Sequence, residues 1–388
     1  MSLGIYIQVP FCQTKCTYCN FHTGVVSSSR FAPYASAVGT EVREHEKRLA
    51  DAGVLLPDGF SQLTVDTVYF GGGTPSLLDP AHLQSILAAI RETFRCSLTE
   101  VTLEADPETV ERRKVEGWAA AGVNRISFGV QSFSDSELKA AGRMHRREDV
   151  YRAVPVLRSV GIQNISFDLI VGLPHQTPQS WQNSLDELIF LSPEHVSIYL
   201  LEVDEGSRLG SELLRGGGKY SASAVPTDDV MAESYDLARN RLASAGYEHY
   251  EISNFAKPGF ASAHNRKYWR REPYLGFGAG AHSFSGIQRW ANAHDAAAYV
   301  QSIVAGKLPL ELLENISAAQ ALDEELFLGL RQLEGIDLAR LEATYSTPLE
   351  SRFAPLQTAG LIERSGRMVR LAPAHLSISN EAFVELMR

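Results

Sequence analysis

Cys12, Cys16 and Cys19 stand within eight consecutive residues, Cys12-Gln-Thr-Lys-Cys16-Thr-Tyr-Cys19, a C-x3-C-x2-C pattern. Thiolates this near in sequence can converge on one soft metal centre. Iron–sulfur cubanes ordinarily take four cysteine ligands, so three leave one iron open to something else. Structural zinc is the alternative, with His22 or Cys96 completing a set of four, although zinc motifs generally arrive as two separated pairs. Spacing alone leaves both open. Four cysteines in 388 residues are too few for a disulfide scaffold.

Gly71-Gly-Gly-Thr-Pro-Ser76 follows directly on the apolar run 65–70. Glycines at a strand end let backbone N–H groups come close to a ligand. No Gly-Lys-Ser/Thr follows, so this is no nucleotide P-loop, and a plain tight turn is the other reading. Three further apolar runs end on polar residues: Glu104, Gln131 and Asp168. On successive parallel strands such residues point toward one mouth; singly, each reads equally well as a satisfied buried polar group. His264-Asn-Arg-Lys-Tyr-Trp269 precedes a glycine-rich stretch from Tyr274 to His282. That combination could supply an axial imidazole and a flat face to a planar macrocycle, or simply a hydrogen-bonded histidine.

The elements that must position these residues alternate. Runs rich in β-branched and aromatic residues occupy 4–9, 65–70, 100–104, 125–130, 164–171 and 195–203. Amphipathic stretches lie between them, among them 79–94, where Leu83, Ile86, Leu87 and Ile90 keep helical spacing, and 178–191. Alternation of this kind implies a parallel sheet with helical crossovers. Six units fall short of eight, so the expected fold is α/β, an open, partial (βα)6 TIM-type barrel over residues 1–215. Pro155 interrupts one otherwise helical stretch. A glycine and serine-rich loop around 216–224 and a helix around 229–244 open a connecting region, 216–310, that carries the His264 motif. Residues 311–388 read as a helix over 318–333, two short helical stretches and a hairpin about Ser365-Gly366, a winged-helix-like α+β module. Winged helices often bind DNA, but residues 316–388 hold 7 Arg, no Lys and 10 Asp plus Glu, a balance of −3. The whole chain carries 36 − 46 = −10. Nucleic acid is therefore excluded as an expected partner. With 44% hydrophobic and 21% charged residues the composition is that of a globular protein. Neither a signal peptide nor an apolar run long enough to span a membrane is visible, so a cytoplasmic location is expected, with peripheral membrane contact left open.

The cysteine pattern, with Tyr18 before its last member, resembles that of the radical S-adenosylmethionine (SAM) proteins. The resemblance implies a [4Fe-4S] cluster on Cys12, Cys16 and Cys19, with the SAM amino and carboxylate groups on the fourth iron. In that family electron transfer from the cluster cleaves SAM to methionine and a 5′-deoxyadenosyl radical. Gly72, Gly73 and Thr74 match the GGGTP form of the motif that holds the SAM amino group in the porphyrin-related branch. By the same resemblance Tyr6, Glu104, Gln131, Arg143 and Asp168 carry over as SAM contacts, Glu104 toward the ribose hydroxyls. His264, Asn265 and Tyr268 resemble the HNRxY-type motif of the radical-SAM haem chaperones of HemW type; where family members often place a cysteine just before that histidine, Ser262 and Ala263 stand here. These chaperones bind haem as cargo and pass it to respiratory apoproteins, which implies a client apoprotein and a reductant protein as partners. The competing branch, the oxygen-independent coproporphyrinogen III oxidases, decarboxylates porphyrinogen propionates. Its members typically carry C-x3-C-x2-C-x-C and an N-terminal extension; here Phe21 takes the place of the extra cysteine and 11 residues precede Cys12. Both departures favour the haem chaperone. A third reading, a zinc-stabilised barrel without redox chemistry, stands if no cluster forms.

Overall fold

The structure is a computed structural model, and it describes residues 2–387. Six parallel strands lie side by side in chain order: β1 (Ser2–Val9), β2 (Thr64–Gly72), β3 (Cys96–Ala105), β4 (Arg125–Gln131), β5 (Asn164–Val171) and β6 (His195–Leu200). Both faces of this sheet are covered, so its strands are apolar almost throughout. Val65, Val68, Phe70, Ile126, Phe128 and Phe167 have no accessible surface. Helices α1 (Phe31–Asp51), α2 (Pro80–Thr93), α3 (Arg112–Ala121), the short α4 (Asp135–Ala140), α5 (Arg147–Ser159) and α6 (Pro178–Leu191) make the crossovers.

Local chemistry sets the helix limits. Asp79 caps α2 by accepting from the Ala81 N–H, and Pro80 occupies the first turn, where its missing N–H goes unused. Leu83, Ile86, Leu87 and Ile90 then face the core. Thr177 and Pro178 begin α6 in the same way. Pro155 does not break α5: it lies on the exposed face, opposite buried Val150, Ala153, Val154 and Leu157, where water can satisfy the freed carbonyl.

Residues expected to connect also build sheet. β7 (Glu248–Glu251) and β8 (Asn254–Ala256) form an antiparallel hairpin on the β6 edge. On the other edge β9 (Tyr274–Phe277) pairs parallel with β1, followed by antiparallel β10 (His282–Phe284), β11 (Gln288–Asn292) and β12 (Leu310–Asn315). The row of twelve runs β12-β11-β10-β9-β1-β2-β3-β4-β5-β6-β8-β7 and its ends do not pair, so the barrel stays open. Between the edges run α7 (Arg208–Leu214), α8 (Asp228–Ser244) and α9 (Ala263–Trp269), and α10 (Ala296–Val304) bridges β11 and β12. The expected loop at 216–224 is kinked, with Tyr220 and Ser221 left-handed at φ 56° and 58°, and is fastened by buried Ala222.

In the last module α11 (Ala318–Arg331), α12 (Leu338–Tyr345) and α13 (Glu350–Thr358) precede the hairpin β14 (Ile362–Ser365) and β15 (Met368–Leu371), with α14 (Ser379–Leu386) last. A short strand β13 (Ile336–Asp337) pairs onto the hairpin as its third strand. Ser365 pairs with Met368, so the turn has two residues, and Gly366 supplies the positive φ of 62° that such a turn requires. Among the described residues no helix is long and apolar enough to cross a membrane.

Candidate metal and cofactor site

The cysteine loop leaves β1 at the C-terminal ends of the parallel strands, and the protein pins it by its own bonds. Phe11 is buried between the rings of Phe31 and Tyr34, at 4.8 and 4.9 Å. Residues 11–12 pair with 24–25. Buried Thr17 donates its N–H to the Ala141 carbonyl at 2.9 Å and accepts from the Leu209 N–H at 2.8 Å. The three cysteines are thus presented on a fixed frame, all as free thiols. They line a cleft of about 480 Å³ with Tyr18, Gly72, Gly73, Thr74, Glu104, Gln131, Arg143 and Asp168. Burial pushes the thiols of Cys12 and Cys19 above the ordinary range.

The donor set suits a cluster better than a single ion. Cys96 begins β3 opposite Val65, at the other end of the strands from Gly72, out of reach of the trio. The His22 ring packs on that of His294, 3.9 Å away. Among the described residues no three His, Cys, Asp or Glu side chains are arranged to hold one ion. A tetrahedral zinc needs such convergence, whereas a cubane spreads its irons over separate corners.

The glycine run serves close packing. A Cβ on Gly73 would stand 2.5 Å from the Phe11 carbonyl oxygen and 3.0 Å from the Cys12 sulfur, so the cysteine loop can rest there only against glycine. The expectation that its N–H groups face a ligand needs correction. Gly72 N–H donates to Glu104 at 3.0 Å, Gly73 N–H to the Val9 carbonyl at 2.8 Å and Thr74 N–H to that of Phe11 at 2.7 Å. What this rim offers is acceptor oxygen, the chemistry an ammonium requires.

Strand ends supply the polar wall. Glu104 accepts from Tyr69 Oη at 2.9 Å; burial, then the nearby Asp168 carboxylate, pushes its carboxyl up to about 7. Asp168 accepts from Ser127 Oγ at 3.2 Å and is likewise raised, mainly by burial. Gln131 holds a positive φ of 64°, and its buried Oε1 has no partner. A strained residue with an orphaned acceptor inside a cleft is what a ligand-binding position looks like before its ligand arrives. Arg143 ion-pairs with Asp106, donates to the Gly129 carbonyl at 2.8 Å and reaches Cys16 Sγ at 3.5 Å. Asp106, which also accepts from Thr74 Oγ1 at 3.1 Å, escaped the sequence reading. Its signal was there: it follows Glu104 by two residues, the strand's same-face period.

Four expected positions lie elsewhere. Tyr6 is inside the barrel, donating to Gln8 Oε1 at 2.8 Å and stacked on Tyr69 at 6.0 Å. His264, Asn265 and Tyr268 belong to α9, which plugs the opposite end of the barrel rather than forming a loop. Glu100 anchors this helix by accepting the N–H groups of Ala263 and His264, each at 3.0 Å. The His264 ring is 1% exposed, with Nδ1 2.9 Å from Thr67 Oγ1 and Nε2 2.9 Å from Tyr268 Oη. Burial drops its pKa to about 3, so the ring is neutral. An axial role for His264 would require both bonds to open, and none of the three haem candidates lines the cleft.

Residues 6–188 match the Radical SAM superfamily and residues 316–374 the HemN C-terminal domain. The heme chaperone HemW of Bacillus subtilis (strain 168) is 34% identical over 384 residues, 97% of each chain. HemW of Escherichia coli (strain K12) is 35% identical over 281 residues, 72% of this chain and 69% of that protein. Among solved structures, the Escherichia coli coproporphyrinogen III oxidase HemN, a radical SAM enzyme, superposes with a TM-score of 0.84 at 21% identity, covering 99% of this chain and 90% of that one.

Proposed function

This chain belongs to the radical SAM superfamily and within it to the HemW family of haem chaperones, and from that premise we propose that it binds haem beside a SAM-ligated [4Fe-4S] cluster and hands it to respiratory apoproteins. The observation that carries the reading is the pinned trio of thiols in one cleft with the polar ends of β3, β4 and β5. Cys12, Cys16 and Cys19 would hold three irons. When bound, the cluster supplies an electron to the SAM sulfonium.

The chain's own residues decide where that happens. Acceptor oxygens beside Gly72, Gly73 and Thr74 receive the amino group, and Glu104 accepts the two ribose hydroxyls. Gln131 and Asp168 face the same ligand, and Tyr18 packs beside it. Arg143 positions Cys16 and neutralises Asp106, while Tyr6 supports the wall from behind by stacking on Tyr69. His264, Asn265 and Tyr268 act in this reading as the floor that fixes β1 and β2.

The proposal places the protein in the cytoplasm with a reductant protein and a client apoprotein as partners, residues 311–388 serving as a contact module beside the units 1–215 and 216–310. Coproporphyrinogen oxidation is the weaker reading, because the position of that branch's additional cysteine is held by Phe21, 63% exposed. The deciding experiment is anaerobic incubation of reconstituted protein with SAM, a reductant and either haem or coproporphyrinogen. Haem capture followed by transfer to a haem-free cytochrome, without decarboxylated product, is expected. Turnover to decarboxylated porphyrin would assign the other activity.

A further inference from the structure

Haem iron already has four porphyrin nitrogens and asks the protein for one or two axial ligands, usually an imidazole with a free nitrogen. Six histidines are otherwise engaged: His45, His145, His195, His249, His264 and His375 each hold a protein partner through a ring nitrogen. Among the described residues the rings of His22, His82, His175, His282 and His294 make no hydrogen bond; His82 lies on α2 and His175 follows β5, whereas His22, His282 and His294 meet on one surface.

His22 lies three residues beyond Cys19, and its ring packs on that of His294 with centroids 3.9 Å apart and planes tilted by 30°. His282 begins β10, opposite Ala291 on β11, which stands three residues before His294 in the chain. The backbone is shaped to bring them together. Gly280 N–H donates to the Ala293 carbonyl and Asn292 N–H to that of Ala281, each at 3.0 Å, tying the glycine-rich loop to the segment carrying His294. Gly280 has a φ of 73°, and a Cβ there would stand 2.8 Å from His294 Nδ1. Only glycine lets that ring lie down on the loop.

The surroundings suit a flat amphiphile. Phe21 is 63% and Val25 59% exposed, on either side of His22 in the chain. Phe21 also lines the mouth of the cysteine cleft, and Lys15 Nζ reaches its carbonyl at 3.3 Å, a cation for a propionate. A bare ion is a poor fit, since no three ligating groups converge on one point among the described residues; a metalloporphyrin, needing one ligand and an apolar face, is not.

We propose that haem docks at the mouth of the barrel on the His22, His282 and His294 cluster, one of these imidazoles binding the iron and Phe21 lying against the macrocycle. The inference rests on the haem-chaperone reading and replaces His264 as its axial ligand.

The test titrates anaerobically reconstituted protein with Fe(III) protoporphyrin IX, followed by the Soret band and the electron paramagnetic resonance of the ferric haem. The same titration uses free-base protoporphyrin IX, which has no iron to ligate. The triple variant His22→Ala/His282→Ala/His294→Ala should bind haem at least tenfold more weakly and lose the axial-imidazole signature, with free-base binding and cluster content unchanged. His175→Ala, an exposed control, should behave as the parent. His294→Gln, which keeps the shape over Gly280, should share the defect if His294 is the ligand; if it does not, the single alanine variants at positions 22 and 282 assign the iron. Parent-like haem affinity and spectrum in the triple variant would overturn the site while leaving the chaperone reading standing. No haem binding by the parent protein would overturn both.

Discussion

The two ends of the barrel were built under opposite rules. At the end closed by α9 the groups that face the barrel are spoken for, while the buried Trp269 indole N–H on the helix's last turn has no partner. His264 uses both nitrogens, Glu100 receives two backbone N–H groups, and Lys267 pairs with Asp66 at 2.9 Å. At the cysteine end Gln131 Oε1 is buried without a partner, three thiols stand unbridged, and burial holds the Glu104 and Asp168 carboxyls above their ordinary range. The lesson is that polar residues inside a barrel point to function where they line a cleft and their hydrogen-bonding capacity is incompletely used.

The largest effect should come from the open end. Replacing Cys12, Cys16 or Cys19 by Ala should abolish cluster incorporation, read as iron and acid-labile sulfide after anaerobic reconstitution, while the melting temperature of the cluster-free protein hardly moves. Full cluster content in all three variants would remove the asymmetry at its root.

His264→Ala addresses the closed end and should do the reverse. It empties the space against Tyr69 and strands the Thr67 and Tyr268 hydroxyls, a loss of about 2–4 kcal/mol in chemical denaturation, with iron and sulfide content retained. A shift below about 0.5 kcal/mol, the scale of an ordinary surface substitution, would show that the floor is not the structural half of the pair.

The finest test concerns Glu104. Its carboxyl titrates near 7 instead of 4.5, so without ligand the folded state holds the proton more tightly than the unfolded chain does. That contribution to stability is whole below the unfolded value and lost as pH rises through about 7. SAM binding should run the opposite way, because two ribose hydroxyls need an ionised acceptor. Affinity should fall by up to about tenfold per pH unit below the transition, and Glu104→Gln should flatten the profile. A parent profile flat from pH 6 to 8 would take Glu104 out of the ribose subsite.

Much of the cysteine end was legible along the chain because its parts are contiguous or periodic. Three thiols within one loop, glycines after an apolar run and a polar residue at each strand end need no distant information. Asp106 was missed although it shares a strand face with Glu104, because a Pro immediately after it reads as a turn. The packing of the floor was not legible in the sequence for a different reason. The motif around His264 looks like an exposed loop until Thr67 on β2 and Glu100 on β3, 197 and 164 residues away in sequence, are brought against it.

The order of strands and helices, the cysteine loop and the family are written in local spacing, since strand period, helix period and thiol separation are properties of adjacent residues. Which histidine is free and which is spent, and that residues 274–315 complete the sheet beside β1, depend on burial and on partners supplied by remote segments. An imidazole's chemistry is set by what occupies its nitrogens, and only packing in three dimensions decides that.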